Sequence, residues 1–323
     1  MPDTARDPLL NFRTQAPKRA FLDWPVIIDP VHWLADIAVM GIPQSEPYPH
    51  DVIPNDQSRA PDTVRAQTGQ FCDGAAHWDF DIDAPLGEVL PERCIDIGDF
   101  IWGNEPYEAH FERIAAATRR LWGSGTMVLS IGGDHGVTIP LLHGLEAVGR
   151  PIHIVHIDAH LDWRDDVAGV RCGYSSPLRR ASELPWISGM TQIGLRGTGS
   201  ARRPEVEAAR AYGSRLVPAG ELHERGIDAI AAELPRDTAF FVTIDADGLD
   251  PSCMPGVLAP SPGGVRPEQV KRLLDLVARR GPIVGMDIVE IAPSYDFTNQ
   301  LTSITAGRLF INLIGAMRHR WPH

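Results

Sequence analysis

Cysteine is nearly absent from this chain. Its four cysteines (Cys72, Cys94, Cys172 and Cys253) are scattered, with no C-x-x-C spacing, which excludes a disulfide-stapled scaffold and a thiolate metal cage. They read as free thiols in a reducing compartment. Long apolar runs are missing too: nothing approaches the roughly 18 residues of a membrane helix. The opening M-P-D-T-A-R-D has neither a basic n-region nor an apolar h-region, so the reading is a soluble, cytoplasmic protein. Positive charge is in short supply. Thirty Lys and Arg stand against 42 Asp and Glu, a net charge of -12. Nucleic acid and anionic membranes both want clustered positive charge and are excluded as partners, whereas a small cationic ligand is favoured. Finally, no internal repeat, low-complexity tract or Gly/Ser linker divides the 323 residues.

What is present is alternation of strand and helix. Residues 1–30 form a Pro-rich, irregular extension whose Phe12, Phe21 and Trp24 should pack on something; residues 31–323 read as a single domain. Trp33 to Ile42 contains a first strand, Ala60-Pro61-Asp62 opens a helix, and Cys94–Asp99 is a short strand. Tyr107 to Trp122 has helical apolar spacing, 127–131 is a buried strand, 137–147 a helix, and 152–157 a second buried strand. Further strands are expected at 191–195, 215–217, 239–244 and 283–291, with helices at 177–183, 203–212, 227–233, 267–279 and around 309–317. Such alternation specifies a parallel sheet covered on both faces.

The chemistry concentrates where three strands end. Val155 to Trp163 reads V-H-I-D-A-H-L-D-W and spaces Asp158, His160 and Asp162 two apart, so in extended backbone the three side chains leave on one side. Crowded carboxylates repel unless a cation lies between them. Gly132-Gly133-Asp134-His135 follows the strand at 127–131, and Asp245-Ala246-Asp247 follows that at 239–244. Ligands of open parallel sheets bind beyond the carboxyl ends of the strands. Four carboxylates and two imidazoles at that edge suit two metal ions about 3.5 Å apart. Oxygen and imidazole donors favour Mn²⁺ or a neighbouring first-row ion such as Ni²⁺ or Co²⁺ over thiolate-loving Zn²⁺.

These segments, with Asp245-Ala246-Asp247-Gly248-Leu249-Asp250-Pro251 and Asp287-Ile288-Val289-Glu290, resemble the ureohydrolases, the family of arginase and agmatinase, from about residue 38 onward, most closely the agmatinase-like subgroup. The resemblance implies a three-layer α/β/α sandwich with a mainly parallel sheet of about eight strands, assembled as trimers or hexamers. It implies that Asp158 and Asp245 bridge two Mn²⁺ ions, with His135 and Asp162 completing one shell and His160 and Asp247 the other. The implied reaction attacks the carbon of a guanidino compound with hydroxide and releases urea and an amine. Glu290 would hold the guanidinium, and Asp247 would carry the proton to the leaving amine. A strand-end Glu in a surface salt bridge is the ordinary alternative for Glu290.

Two positions depart from that pattern. Tyr174, in Tyr174-Ser175-Ser176-Pro177-Leu178-Arg179-Arg180, stands where agmatinase-type members carry a proton-relaying His, and Trp163 replaces a Thr or Ser. Together they point to a pocket reshaped by Trp163 and Tyr174 for another substrate: a compact or alkylated guanidine, a guanidino acid or a biguanide. Drift around unchanged agmatine hydrolysis is the alternative. A formimino substrate, and a non-catalytic subunit of a hetero-oligomer, are the competing readings.

Overall fold

The computed structural model describes residues 12–321 except 47, 73–75 and 104; the side chains of 70–72 are likewise outside the description. Nine strands form the main sheet: β1 (Thr14–Gln15), β2 (Ile37–Ile42), β3 (Cys94–Phe100), β4 (Met127–Gly132), β5 (Ile152–Ile157), β6 (Ile187–Leu195), β7 (Arg215–Pro218), β8 (Ala239–Asp245) and β9 (Ile283–Val289). Their order across the sheet is β1-β3-β2-β4-β9-β8-β5-β6-β7. Every pairing is parallel except β1 with β3. Eight parallel strands match the expected sheet. The ninth comes from the N-terminal extension, where the Pro-rich sequence predicts only irregular chain.

The strands carry apolar side chains on both faces, as a sheet covered twice must. Ile37 and Val39 of β2 and Met127, Leu129 and Ile131 of β4 belong to one core, while Ala38, Met40, Ile42 and Val128 belong to the other. The first core is closed by helices α1 (Ala60–Cys72), α8 (Pro267–Ala278) and α9 (Leu301–Ala316), and by α6 (Ala219–Arg225) and α7 (Ile227–Ala232). The second is closed by α2 (Tyr107–Gly123), α3 (Thr138–Gly144), α4 (Pro177–Ala181) and α5 (Arg203–Tyr212). The result is the α/β/α sandwich. Helix α6 is absent from the sequence-based assignment, and β6 begins four residues before the expected Thr191.

Residues 1–11 of the extension lie outside the described residues, but 12–30 pack on the domain. Phe12, Phe21, Leu22 and Trp24 are buried, and the Phe21 amide donates to Asp96 Oδ2 at 2.9 Å. That carboxylate belongs to a buried ion-pair triad: Arg65 Nε and Nη2 reach Asp96 at 2.8 and 2.9 Å, and Nη1 donates to Asp99. Cys94, Cys172 and Cys253 are unpaired; Cys72 falls among the side chains not described. No described helix is long and apolar enough to cross a membrane.

Candidate metal centre and substrate cavity

The strands that end in metal-type residues are neighbours. In the sheet β4, β9, β8 and β5 lie side by side, in a register that sets Ile131 beside Ile288, Asp245 beside Val289 and Ile244 beside Ile157. His135, Glu290, Asp245/Asp247 and Asp158 therefore emerge from four adjacent strand ends, although β4, β5, β8 and β9 are far apart in sequence.

Two glycines allow the connecting turns to close on one another. A Cβ at Gly133 would lie 1.7 Å from the carbonyl oxygen of Gln44, and one at Gly248 would lie 2.6 Å from the Asp158 amide nitrogen. The second contact matters most, because it brings the Asp245–Asp247 turn onto the backbone of Asp158. Carboxylates also organise the turns: Asp245 Oδ1 accepts the Asp247 amide at 2.8 Å, and Asp158 Oδ1 accepts the His160 amide at 2.6 Å.

The six expected ligands are brought together, but by a different backbone from the extended one that their spacing suggests. β5 ends at Ile157, so Asp158, His160 and Asp162 do not share one face of an extended strand. Asp162 adopts φ +51°. Its carbonyl accepts the amides of Leu178 and Arg179 at 3.1 and 3.2 Å, at the start of α4, while its side chain turns into the cluster. A left-handed bend takes the place of strand alternation.

Two donor groups result. His135 Nδ1 lies 2.9 Å from Asp162 Oδ2, 3.3 Å from Asp245 Oδ2 and 3.4 Å from Asp158 Oδ2. His160 Nδ1 lies 3.4 Å from Asp158 Oδ1 and 3.2 Å from Asp247 Oδ2. Asp158 thus offers one oxygen to each group. His135, Asp158, Asp162, Asp245 and Asp247 are buried, and His160 is partly open to the cavity.

The electrostatics show an excess of negative charge. Burial and the neighbouring Asp247 and Asp158 hold the Asp245 carboxyl well above its ordinary pKa. Burial opposes the charged imidazoles, yet the Asp158, Asp162 and Asp245 carboxylates raise His135 well above its usual value, and Asp158 and Asp247 push His160 up to about 12. Cations would relieve this repulsion. One atom tests their fit: His135 Nδ1 is buried, makes no hydrogen bond and has oxygens of three carboxylates within 3.4 Å. Its Nε2 faces Thr243 Oγ1 at 3.0 Å, and the Thr243 hydroxyl also serves Asp287. Thr243 therefore accepts from Nε2–H, so Nδ1 is the nitrogen that would turn its lone pair to a cation bound among the carboxylates. The donors are oxygen and imidazole, with no thiolate among them, and they suit a hard or borderline divalent ion.

Residues to which sequence spacing assigns no role support this frame. His156 Nε2 sits 2.8 Å from Asp158 Oδ2, and its Nδ1 is 3.1 Å from Gln192 Nε2. Gln192 is oriented by Leu161 O and Ser214 Oγ at 2.8 and 2.9 Å, so its amide donates and His156 Nε2–H points at Asp158. The sequence signal of His156 is shared with His153, since both histidines interrupt the apolar strand Ile152–Ile157. Arg196 carries no such signal. Its guanidinium donates to the carbonyls of Gly194, Asp247, Gly248, Leu249 and Ser261 at 2.6–3.1 Å, tying the Asp247 turn to the end of β6.

Above the cluster opens a cavity of about 440 Å³, lined by His160, Asp162, Asp245, Asp247, Glu290 and Tyr174 together with Asp51, Val52, Ile53, Asn55 and Gln57. Glu290 adopts φ +65°. Its Oε1 accepts the His135 amide at 2.7 Å and Oε2 accepts from Gln57 Nε2. Burial, together with the nearby Asp134, raises its pKa well above the ordinary carboxylate value. Glu290 is thus no surface salt-bridge residue. The Tyr174 hydroxyl donates to Asp51 Oδ2 at 2.9 Å, and burial followed by this bond raises its pKa. Trp163 corrects an expectation. It is 2% exposed, packs against Tyr212 in the second core and does not line the cavity. The bend that brings Asp162 into the cluster carries the next side chain into the core.

The model of the arginase family matches residues 35–315. The chain belongs to the arginase family. It is 32% identical over 301 residues to an agmatinase of Chromobacterium violaceum, a match covering 88% of this chain and 84% of the relative. It is 33% identical over 242 residues to proclavaminate amidinohydrolase of Streptomyces clavuligerus, covering 73% and 75%. The solved structure of that amidinohydrolase superposes with a TM-score of 0.78 at 27% identity, over 95% of this chain and 98% of the other. This member of the arginase family is an agmatinase-like hydrolase acting on C–N bonds of linear amidines. Its family depends on a binuclear metal centre, and this chain has His and Asp groups placed so that they could hold a metal ion.

Proposed function

We propose that the protein hydrolyses a small guanidino compound to urea and an amine with two divalent ions, Mn²⁺ by preference and Ni²⁺ or Co²⁺ as alternatives. His135 and Asp162 would hold one ion and His160 and Asp247 the other, with Asp158 and Asp245 within reach of both. The observation that carries this reading is Asp158, which presents Oδ2 to His135 and Oδ1 to His160. Divalent ions held by these residues would supply hydroxide at neutral pH by lowering the pKa of water toward about 7.

The chain's own residues do the rest. Glu290 has each oxygen fixed by one donor, and each retains a lone pair for a guanidinium N–H. Held there, the guanidinium carbon faces the cluster at the base of the cavity. Asp247 takes the proton released by the attacking water and delivers it to the leaving amine. A scaffold subunit would have no use for six convergent donors. We place the enzyme in the cytoplasm as a homo-oligomer, a trimer or hexamer, which light scattering measures directly.

Glu290→Gln tests the substrate contact. The variant keeps the shape of the side chain and removes its charge, so metal content by elemental analysis should remain that of the wild type. A hydrogen bond to a charged group is worth about 1.5–3 kcal/mol, so kcat/KM for urea release should fall by about one to two decades. Unchanged kcat/KM at normal metal content removes Glu290 from the substrate site.

A further inference from the structure

The geometry points to Asp51, held in place by Tyr174, as the residue that selects a guanidine whose far end carries a positive charge. This rests on the reaction proposed above and adds the chemical class of the substrate's tail. The cavity lining contains no Lys or Arg among the described residues, and its charged groups beyond the metal cluster and Glu290 are Asp51, Asp134 and, by protonation, His50. A carboxylate-tailed guanidine would find no Lys or Arg there. Asp134 is turned away from this task, since its two oxygens accept the amides of Gly136 and Glu46.

Asp51 is different. Its Oδ2 accepts the Tyr48 amide at 2.7 Å and the Tyr174 hydroxyl at 2.9 Å. Its Oδ1 takes no hydrogen bond from a described residue, and His50 Nε2 lies 4.0 Å from it. One oxygen is anchored and the other is left for a ligand. The anchor is itself braced: the Tyr174 ring packs 4.3 Å from that of Tyr48, and the Tyr48 hydroxyl is 2.7 Å from Ser175 Oγ. The loop that brings Val52, Ile53, Asn55 and Gln57 to the cavity is thereby pinned to the segment carrying Tyr174. Tyr174 in this arrangement is a positioning residue rather than a proton relay, because its hydroxyl proton is committed to Asp51.

The test compares agmatine with pentylguanidine, in which a methyl group replaces the ammonium, and with 4-guanidinobutyrate, which ends in a carboxylate. Urea release and calorimetric binding are measured in the wild type, Asp51→Asn, Tyr174→Phe and Tyr174→His. The wild type should favour agmatine over pentylguanidine by about 10- to 100-fold in kcat/KM, the range of a charge-assisted contact, with 4-guanidinobutyrate poorest. Asp51→Asn should bring that ratio close to 1, mainly through KM for agmatine. Tyr174→Phe should lower it about three- to tenfold, and Tyr174→His should not raise kcat. A ratio unaltered by Asp51→Asn overturns the inference while leaving the reaction standing. A binding ratio that collapses without any urea release supports Asp51 and overturns the reaction. A kcat for agmatine that rises in Tyr174→His overturns the positioning role in favour of a relay, and absence of both binding and turnover for all three compounds overturns both proposals.

Discussion

Asp158→Ala is expected to bind fewer than two divalent ions per chain and to lose at least about three decades of urea-releasing activity. The reason is the placement of one side chain in two donor groups: Oδ2 lies 3.4 Å from His135 Nδ1, and Oδ1 lies 3.4 Å from His160 Nδ1. Removing it leaves each group short of a donor and would take away negative charge that the two proposed cations need to offset their mutual repulsion. Metal ions stabilise developing charge by several kcal/mol and supply the nucleophile; each 1.36 kcal/mol lost is tenfold in rate. Asp158→Asn separates charge from packing, because it fills the same volume at a fully buried position yet lacks the negative charge that holds the pair. Elemental analysis and urea assay on both variants decide the matter. Two ions per chain with wild-type activity in either variant would refute a shared carboxylate at Asp158.

The second large effect is on stability and is far from the cavity. Arg65→Met should lower the unfolding free energy by about 3–5 kcal/mol, the usual consequence of removing one partner of a buried ion pair. Arg65 and Asp96 are both completely buried, and Asp99 is nearly so. Burial raises the Asp99 pKa even with Arg65 beside it, so without the guanidinium two carboxylates are left unpaired in the core. Asp96 also accepts the Phe21 amide, and loss of its partner should loosen the attachment of residues 12–30. The check is a urea unfolding midpoint, with limited proteolysis of the N-terminal segment as a second reading. The exposed pair Arg93–Asp36 provides the control, because solvent screens such pairs and Arg93→Met should shift the midpoint far less. A destabilisation under about 1 kcal/mol for Arg65→Met would mean that water or rearrangement compensates the two acids.

The two sites behind these predictions differ in how far the sequence discloses them. The metal-type residues are visible because each follows a buried apolar run: Asp158 after Ile152–Ile157, Asp245 after Ala239–Ile244, His135 after Met127–Ile131. The Arg65 triad is not, because its members sit in a helix and a strand 31 to 34 residues apart with no local pattern joining them.

By itself the sequence determined the strand and helix alternation, the parallel sheet and the candidate metal-type residues at the strand ends, since periodicity, turn residues and clustered acids are local properties of the chain. Tertiary structure alone decided the rest. Only the strand order places β4, β9, β8 and β5 next to each other, and only that adjacency makes one cluster of four separate motifs. Only the backbone reversal at Asp162, φ +51°, sends Asp162 into the cluster and Trp163 into the core, whereas the departure of Trp163 from the family pattern suggests a side chain that shapes the pocket. The partners of Tyr174 are invisible in the sequence for the same reason: Asp51 lies 123 residues away, and a hydrogen bond between distant loops leaves no trace in either local pattern.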